Sequence, residues 1–464
     1  METNSVSPAK ANTKLTSLER KWVMYDVGNS AWVLFAATIT PIYFNSLAGS
    51  GNGIATIIWG IMSSIVALIA LFVCPIFGTM ADFSGKRKFF LLFALIGIVS
   101  CAFLAIPALP ALLFASVHIL TDASMSTSNV FYDSMLSDIT DEDRLYKVST
   151  NGFAWGYIGS CIPFAVCLVL VLAVPDSVMS MQWRMSLSFL LTAAWWLCFT
   201  LPIFKSYRQK NFLPKPPHPI RSTFKRIGEI YKEVRKNKKA FLFLVAFFLY
   251  INGTSTIIKM ATVYGSDMLG FGTTMLLIAL LVTQIVAFPS AIALGALSKK
   301  FKAKQLIITC ISGYVAVGLF ALFLKAEWQF WVLAVCVGLF QGGIQAMSRS
   351  YFTSIIPANK SGEYFGIYDI FGKGAACLGP VLISGTTFLV GKLSGAFDWF
   401  ANVTTVMNLD LLPIPTLTIA GLIVFLLAAK LPIAKEARRN QPTDSEETDS
   451  EEISEAPTEE EMDE

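Results

Sequence analysis

The sequence predicts an all-α membrane protein in which twelve transmembrane helices form two six-helix pseudo-repeats, with both termini in the cytoplasm. Of its 464 residues, 54% are apolar and 15% are charged, and the mean hydropathy is +0.60. Such a chain is too hydrophobic for ordinary soluble domains. The apolar segments, the placement of basic residues and an internal repeat support the prediction in more detail.

Twelve apolar segments are long enough to span a bilayer, because a helix needs about 20 such residues to cross the hydrocarbon core. They cover residues 22–45, 54–77, 89–109, 111–136, 148–173, 184–204, 240–263, 273–297, 305–324, 328–352, 371–391 and 411–430. Positively charged loops resist translocation, which sets the orientation. With a cytoplasmic N-terminus, only Arg184, Lys325 and Lys392 lie in external loops, and both termini are then cytoplasmic.

Composition divides the chain into five parts. Residues 1–21 form a cytoplasmic N-terminal segment, residues 22–204 the first bundle and residues 240–431 the second. Between the bundles, residues 205–239 hold twelve Lys or Arg and two Glu, which predicts a basic cytoplasmic linker that lies on anionic headgroups or binds a partner. Residues 432–464 carry twelve acids from position 441 onward and are expected to form a disordered cytoplasmic tail.

Three features of the first half recur in the second, as expected of a duplicated membrane fold. The segment YDVGNS, which begins at Tyr25, recurs as YINGTS from Tyr250, an offset of 225. Two glycines seven residues apart in helix 5 recur in helix 11 at an offset of 220, and the loop after helix 2 resembles the loop after helix 8. The halves therefore read as parallel repeats.

The loop GTMADFSGKRK, after predicted helix 2, resembles the loop signature of the major facilitator superfamily. The matching residues are Gly78, Asp82, Gly85, Lys86 and Arg87. The family places a base directly after the acid, where this chain has Phe83. Further blocks, YDVGNSA, FYDSMLSDI, NGFAWGYIG and the stretch from Gly338 to Pro380, resemble the subfamily of the fungal vacuolar amino-acid effluxer and its bacterial relatives.

The loop residues fit a gate between the two halves. Gly78 permits close approach of two helices and Gly85 permits the turn. Asp82 is expected to face the positive end of a helix from the other half. The two bases that follow would pair with acids such as Asp138 or lie among headgroups. The alternative is that these charges only set the topology.

Ionisable residues inside the membrane cost about 2.5–3.5 kcal/mol each at a helix centre and usually mark function or a specific pair. They are Asp26, His118, Asp122, Asp133, Lys259 and Arg349. Asp26 is read either as a proton- or amine-binding carboxylate or as a structural partner of a base. Asp122 is the better midplane candidate, whereas Asp133 is read as a gate or loop partner. Arg349 is expected to form an ion pair that breaks during alternation, with anionic-substrate binding as the alternative.

The remaining two ionisable residues favour structural roles. Lys259 is expected to extend to the outer interface, with binding of a substrate carboxylate as the alternative. His118 is read as a packed, hydrogen-bonding residue, with proton relay as the alternative.

Polar residues concentrate in helices 1, 4, 7 and 10, which line the central cavity in the major facilitator fold, as the resemblance implies. Asp122, Ser126 and Asn129 share one helix face. The predicted substrate or proton pathway comprises Asp26, Asn29, Ser30, Asp122, Ser126, Asn129, Asn252, Thr254, Gln341 and Gln345. The predicted gate comprises Gly78, Asp82, Gly85, Lys86, Arg87, Asp133, Asp138 and Arg349. The subfamily often has an acid at the position of Asn252.

The sequence argues against an enzyme, because it has only two histidines and lacks P-loop, zinc-hydrolase and serine-hydrolase patterns. No cofactor or metal is expected. The cysteines lie in predicted helices without a CxxC pair, which favours packing roles.

The predicted function is secondary active transport of a small solute by alternating access, with proton coupling as a hypothesis. The resemblance implies amino acids as the substrate, exported from a cell or compartment. We expect lipid contacts, no nucleic acid, a monomer, and a bacterial inner membrane rather than a vacuole. A lipid or lysolipid transporter of the same fold, and a non-transporting sensor or scaffold, are the alternatives.

Overall fold

The computed structural model describes residues 14–48, 54–83, 85–214, 229–230, 232–267, 270 and 272–433. The described chain contains twelve long helices. They are α1 (Ser17–Leu47), α2 (Ile54–Asp82), α3 (Lys86–Phe103), α4 (Ala111–Ile139), α5 (Leu145–Leu172), α6 (Met181–Ser206), α7 (Lys238–Asp267), α8 (Thr273–Leu297), α9 (Ala303–Ala321), α10 (Glu327–Ile355), α11 (Ser361–Ala396) and α12 (Pro413–Lys430). A short helix, Asp398–Val406, precedes α12.

Each predicted segment corresponds to one of these helices. The largest difference is in α11, which begins at Ser361, ten residues before the predicted start, because Asp82 caps its N-terminus. Within the described residues, nine of the helices are long and apolar enough to cross a membrane. Of the other three, α3 and α4 carry more charged or polar residues, and α11 contributes the shorter apolar stretch Val381–Ala396. The number of twelve crossings and the side of the termini stay predictions. Most of the predicted tail and residues 215–228 of the predicted linker lie outside the described residues.

The helices pack as two bundles that meet along six helices. One large buried cluster is built almost entirely from α1–α6 and a second mainly from α7 and α9–α12. Across the seam, α2 packs on α11, α5 packs on α8 and α10, and α4 packs on α11. The groups that link the halves are therefore expected on these helices.

The two halves make equivalent internal contacts. The hydroxyl of Tyr25 lies 2.7 Å from the Ser128 hydroxyl, and that of Tyr250 lies 2.6 Å from the Ser348 hydroxyl. These pairs are related by the offsets of 225 and 220 found in the sequence. The repeated tyrosine of YDVGNS therefore ties α1 to α4 in one half and α7 to α10 in the other.

We expect Tyr25→Phe and Tyr250→Phe each to lower the free energy of unfolding by about 1 kcal/mol, the net value of one buried hydrogen bond. The serine partners keep bonds to their own helix backbone, so neither is left unsatisfied. Thermal unfolding of the detergent-purified protein measures the effect. The matched control is Tyr314→Phe, since the buried Tyr314 hydroxyl has no partner among the described residues. A loss in the control as large as in the other two variants would refute the assignment.

Candidate substrate pathway and gate

A buried ion cluster joins three helices across the seam. Arg349 of α10 donates from Nη1 to Asp133 Oδ1 of α4 at 2.9 Å, and its Nη2 lies 3.4 Å from Asp26 Oδ2 of α1. The side chain of Arg349 is 3% exposed, so the three charges are largely removed from water. The sequence predicted these three residues individually, and the structure brings them together as one ion cluster between the halves.

Groups that the sequence analysis did not single out complete the surroundings of Arg349. Its Nε donates to the Ser149 hydroxyl and its Nη2 to the Ser149 carbonyl, each at 3.0 Å. The guanidinium carbon lies 4.7 Å from the ring centre of Trp22 and 4.3 Å from that of Phe153. Cation–π contacts of this kind stabilise a desolvated guanidinium. The cluster is held by hydrogen bonds and aromatic rings as well as by charge.

A repeated glycine makes room for the cluster. A β-carbon at Gly152 of α5 would lie 2.5 Å from Asp26 Oδ2 and 3.0 Å from Arg349 Nη2. Carbon atoms do not approach polar atoms this closely without displacement. In the sequence this glycine stands out only because it recurs in the second half. That recurrence is the one sequence feature that points to this site.

A second contact between the halves lies where α2 crosses α11. A β-carbon at Gly78 would lie 2.5 Å from the Gly362 carbonyl oxygen, and the reverse distance is also 2.5 Å. Asp82 accepts from the backbone N–H groups of Gly362 at 3.0 Å and of Glu363 at 2.9 Å. The carboxylate thus meets the N-terminus of a helix from the other half, where the helix dipole favours negative charge.

Lys86 joins this contact to α4. Its Nζ lies 3.4 Å from Asp82 Oδ1, 3.8 Å from Asp138 Oδ2 and 2.6 Å from the Ser361 hydroxyl. The side chains of Lys86 and both acids are fully buried. Asp138 also accepts from the Tyr207 hydroxyl at 2.5 Å, which attaches the start of the linker to the gate.

One expectation for this loop needs correction. Gly85 has a φ of −116°, which any residue adopts, so the turn does not require glycine for its backbone conformation. A β-carbon there would instead approach the Phe89 ring at 2.7 Å. Arg87 is exposed and donates to the Phe204 carbonyl at 2.9 Å, which is compatible with the alternative that it lies among headgroups.

The polar pathway residues of the first half make two groups of contacts, one around Asn29 and one around Asp122. Asn29 donates to Asn129 Oδ1 at 2.8 Å, and the Ser30 hydroxyl lies 3.4 Å from Asn29 Oδ1. Asp122 accepts from Trp32 Nε1 at 2.6 Å, and the nearly buried His118 places Nε2 3.5 Å from the same carboxylate. The side chain of Asp122 remains 27% exposed. Ser126 is buried on the same helix.

The pathway residues of the second half are more dispersed. Asn252 and Thr254 are buried in α7, and the Asn252 amide nitrogen has no partner among the described residues. Gln345 accepts from the Tyr157 hydroxyl at 3.3 Å across the seam. Gln341 lines a cavity of about 40 Å³ inside the second bundle. The side chain of Lys259 lies outside the described residues.

Two helical bundles that meet through buried ion pairs form a fold that solved transporters of the major facilitator superfamily share. The fold matches the solved proton:xylose symporter XylE with a TM-score of 0.67, 12% identity and coverage of 89% of this chain and 95% of that one. It also matches FucP in its outward conformation, with a TM-score of 0.65, 13% identity and coverage of 90% and 99%. These likenesses show the fold.

A family model described as "Vacuole effluxer Atg22 like" matches residues 54–412, and the chain belongs to this family. The "Uncharacterized MFS-type transporter YxiO" of Bacillus subtilis (strain 168) is 42% identical over 391 residues, which cover 82% of this chain and 91% of that protein. "Autophagy-related protein 22-1" of Aspergillus niger is 28% identical over 295 residues, covering 58% of this chain and 46% of the relative. The match therefore spans about half the length of the fungal relatives. The chain is a multi-pass membrane transporter of the major facilitator type, and its relatives are transporters rather than enzymes.

Proposed function

We propose that the protein is a secondary active transporter that exports a small solute, an amino acid, by alternating access. The ion cluster of Asp26, Asp133 and Arg349 carries the proposal, because it joins helices of both halves at a buried position. Separating the halves at this end requires these ion pairs to break. Alternation then needs a solute or proton that offsets the cost of the unpaired charges.

The α2–α11 crossing contributes a second closed contact. Gly78 and Gly362 allow backbone contact, and Asp82 adds two hydrogen bonds that end when the helices part. Both contacts act on the same movement, a rocking of one bundle against the other around a central site. The gating roles assigned to these residues follow from this proposal.

Export as the direction of transport is supported by family membership, since the family model carries an effluxer description. The accessible carboxylate of Asp122 is suited to bind an ammonium group or a proton near the middle of α4. The similarity to a Bacillus subtilis transporter over most of both chains supports a bacterial cell membrane as the location. The transporter acts as a monomer in this proposal, with each chain containing a complete pathway.

Proton coupling predicts that amino-acid transport by wild-type protein in liposomes rises with an imposed pH gradient. We expect Asp122→Asn and Asp26→Asn to lower gradient-driven transport by about tenfold, which corresponds to about 1.4 kcal/mol. Asp398→Asn is the matched control, because Asp398 is exposed in a short helix at the end of α11. Proton coupling would be refuted if the wild-type transport rate did not depend on the pH gradient and if Asp122→Asn and Asp26→Asn both transported at the wild-type rate.

One observation favours a second candidate, transport of a lipid or lysolipid. A cavity of about 560 Å³, with mainly apolar walls, lies between α2, α7 and α11 at the seam. An acyl chain would fit such walls. Lysolipid flipping in vesicles by wild-type protein, without amino-acid transport, would favour this candidate over the first.

A further inference from the structure

The cavity at the seam has the size of a small-molecule site. Its volume of about 560 Å³ falls within the range of about 300–1,000 Å³ that such sites occupy. The walls come from both halves, with Leu68 and Leu71 on α2, Phe248 on α7 and Phe371 on α11. A solute bound here therefore contacts both bundles at once, as a transported solute must.

One charged residue, Lys373, lines this cavity and forms an ion pair with Asp369 one turn earlier on α11. Their side chains are 24% and 21% exposed, so they are neither buried in protein nor fully solvated. Lys373 lies twelve residues from the start of α11, about 18 Å along the helix. Measured from a membrane edge set at the start of α11, that distance places the pair near the middle of a hydrocarbon core of about 30 Å. Ionisable groups at such depth usually mark a solute or ion pathway.

One small residue of α11 lies beside this pair at the cavity wall. Gly374 lines the cavity, and a β-carbon there would lie 3.5 Å from the Phe248 ring. The rings of Phe248 and Phe371 meet edge to face, with their centres 6.1 Å apart. The charged pair thus adjoins an aromatic wall with free volume in front of it.

Resting on the proposed transport function, we propose that Lys373 and Asp369 recognise the two charges of a zwitterionic solute whose apolar group lies against Phe248 and Phe371. The solute carboxylate binds Lys373 and its ammonium binds Asp369. In the empty site the two side chains pair with each other, so a zwitterion replaces one ion pair with two. A solute of one charge would leave one member of the pair without a partner.

A zwitterion joined to an apolar group describes both an apolar amino acid and an ethanolamine lysolipid. The depth of the pair favours the free amino acid. Lipid headgroups lie at the membrane surface, about 15 Å from the middle of the hydrocarbon core. A lysolipid would have to bring its headgroup to mid-depth to reach Lys373, whereas a free amino acid enters the cavity whole.

Binding of radiolabelled phenylalanine to the purified protein, with unlabelled competitors, tests the assignment. Phenylalaninamide lacks the carboxylate, phenylpropionate lacks the ammonium, and serine lacks the apolar group. In wild type we expect each competitor to bind roughly 10- to 100-fold more weakly than phenylalanine. Phenylalaninamide and phenylpropionate each lose charged hydrogen bonds, which contribute on that scale, and serine loses the burial of an aromatic side chain. Lysophosphatidylethanolamine in the same assay tests the lipid source.

Variants then assign each charge to its partner. Lys373→Gln should weaken phenylalanine by roughly tenfold or more and leave phenylalaninamide nearly unchanged. Asp369→Asn should weaken phenylalanine while leaving phenylpropionate nearly unchanged. Lys392→Gln, an exposed lysine near the far end of α11, is the matched control and should alter no affinity.

The results that overturn the inference are distinct from those that overturn the proposed function. If Lys373→Gln weakens phenylalanine and phenylalaninamide by the same factor, the pair is structural and the inference fails while amino-acid transport stands. Equal binding of phenylalanine and its analogues by the wild-type protein also overturns the inference. This measurement uses only the wild-type protein, so it does not depend on whether a variant folds. If no amino acid binds and lysophosphatidylethanolamine does, both the inference and the amino-acid function fail.

Discussion

Arg349→Ala should lower the free energy of unfolding by about 3–5 kcal/mol and reduce transport by tenfold or more, the largest effect expected of any substitution in this protein. The substitution leaves Asp26 and Asp133 buried beside each other without their shared cation. Thermal unfolding and liposome transport measure the two effects. Arg349→Lys should also be impaired, because a lysine cannot contact two carboxylates and Ser149 with a planar fork.

Two further variants separate stability from gating. In the triple variant Arg349→Met, Asp26→Asn, Asp133→Asn, no buried charge is left unpaired, so we expect stability to return while transport stays low. Arg208→Ala removes an exposed arginine and should leave both measurements at wild-type values. Wild-type stability and transport in Arg349→Ala would show that the cluster neither holds the halves together nor gates the pathway.

Gly362→Val should force α2 and α11 apart and is the second large effect. Its new β-carbon would lie 2.5 Å from the Gly78 carbonyl oxygen, and neither backbone can yield without moving a helix. Overpacking at such sites costs about 1–3 kcal/mol. We also expect transport to fall by about tenfold, because the displaced helix loses the Asp82 hydrogen bonds at its N-terminus.

Gly385→Val supplies the control for this prediction on the same helix. A β-carbon at Gly385 meets no atom within 4 Å, so the same substitution carries the same helix propensity without the clash. Thermal unfolding and liposome transport compare the two variants directly. Equal effects at Gly362 and Gly385 would show that close helix approach does not matter at the crossing.

Local features of the sequence were sufficient for the helices and the repeat. Every predicted segment corresponds to a helix, because a run of about 20 apolar residues favours a membrane helix regardless of its neighbours. The equivalent bonds of Tyr25 and Tyr250 agree with the repeat found by offset. Asp82 was expected at a helix N-terminus because its loop signature places an acid there, and it caps α11.

Local sequence patterns could not predict which residues of one half contact residues of the other half. Asp26 and Arg349 are 323 positions apart, and nothing in either segment names the other. The start of α11 was placed too late because its first residues are polar, whereas Asp82 and contacts with α2 make them helical. Lys373 and Asp369 were left out of the predicted pathway, since a pair one turn apart looks self-sufficient until a cavity is seen beside it.

Hydrophobicity and periodicity were thus enough to establish a helical membrane protein, and the resemblance of its motifs to a known family indicated a transporter. The packing of the two bundles was needed to define its gate and its cavity. The physical reason is the range of the interactions. Backbone hydrogen bonds and apolar length act within one helix. The ion cluster around Arg349, the crossing of Gly78 with Gly362 and the space beside Lys373 exist only because helices from distant parts of the chain meet.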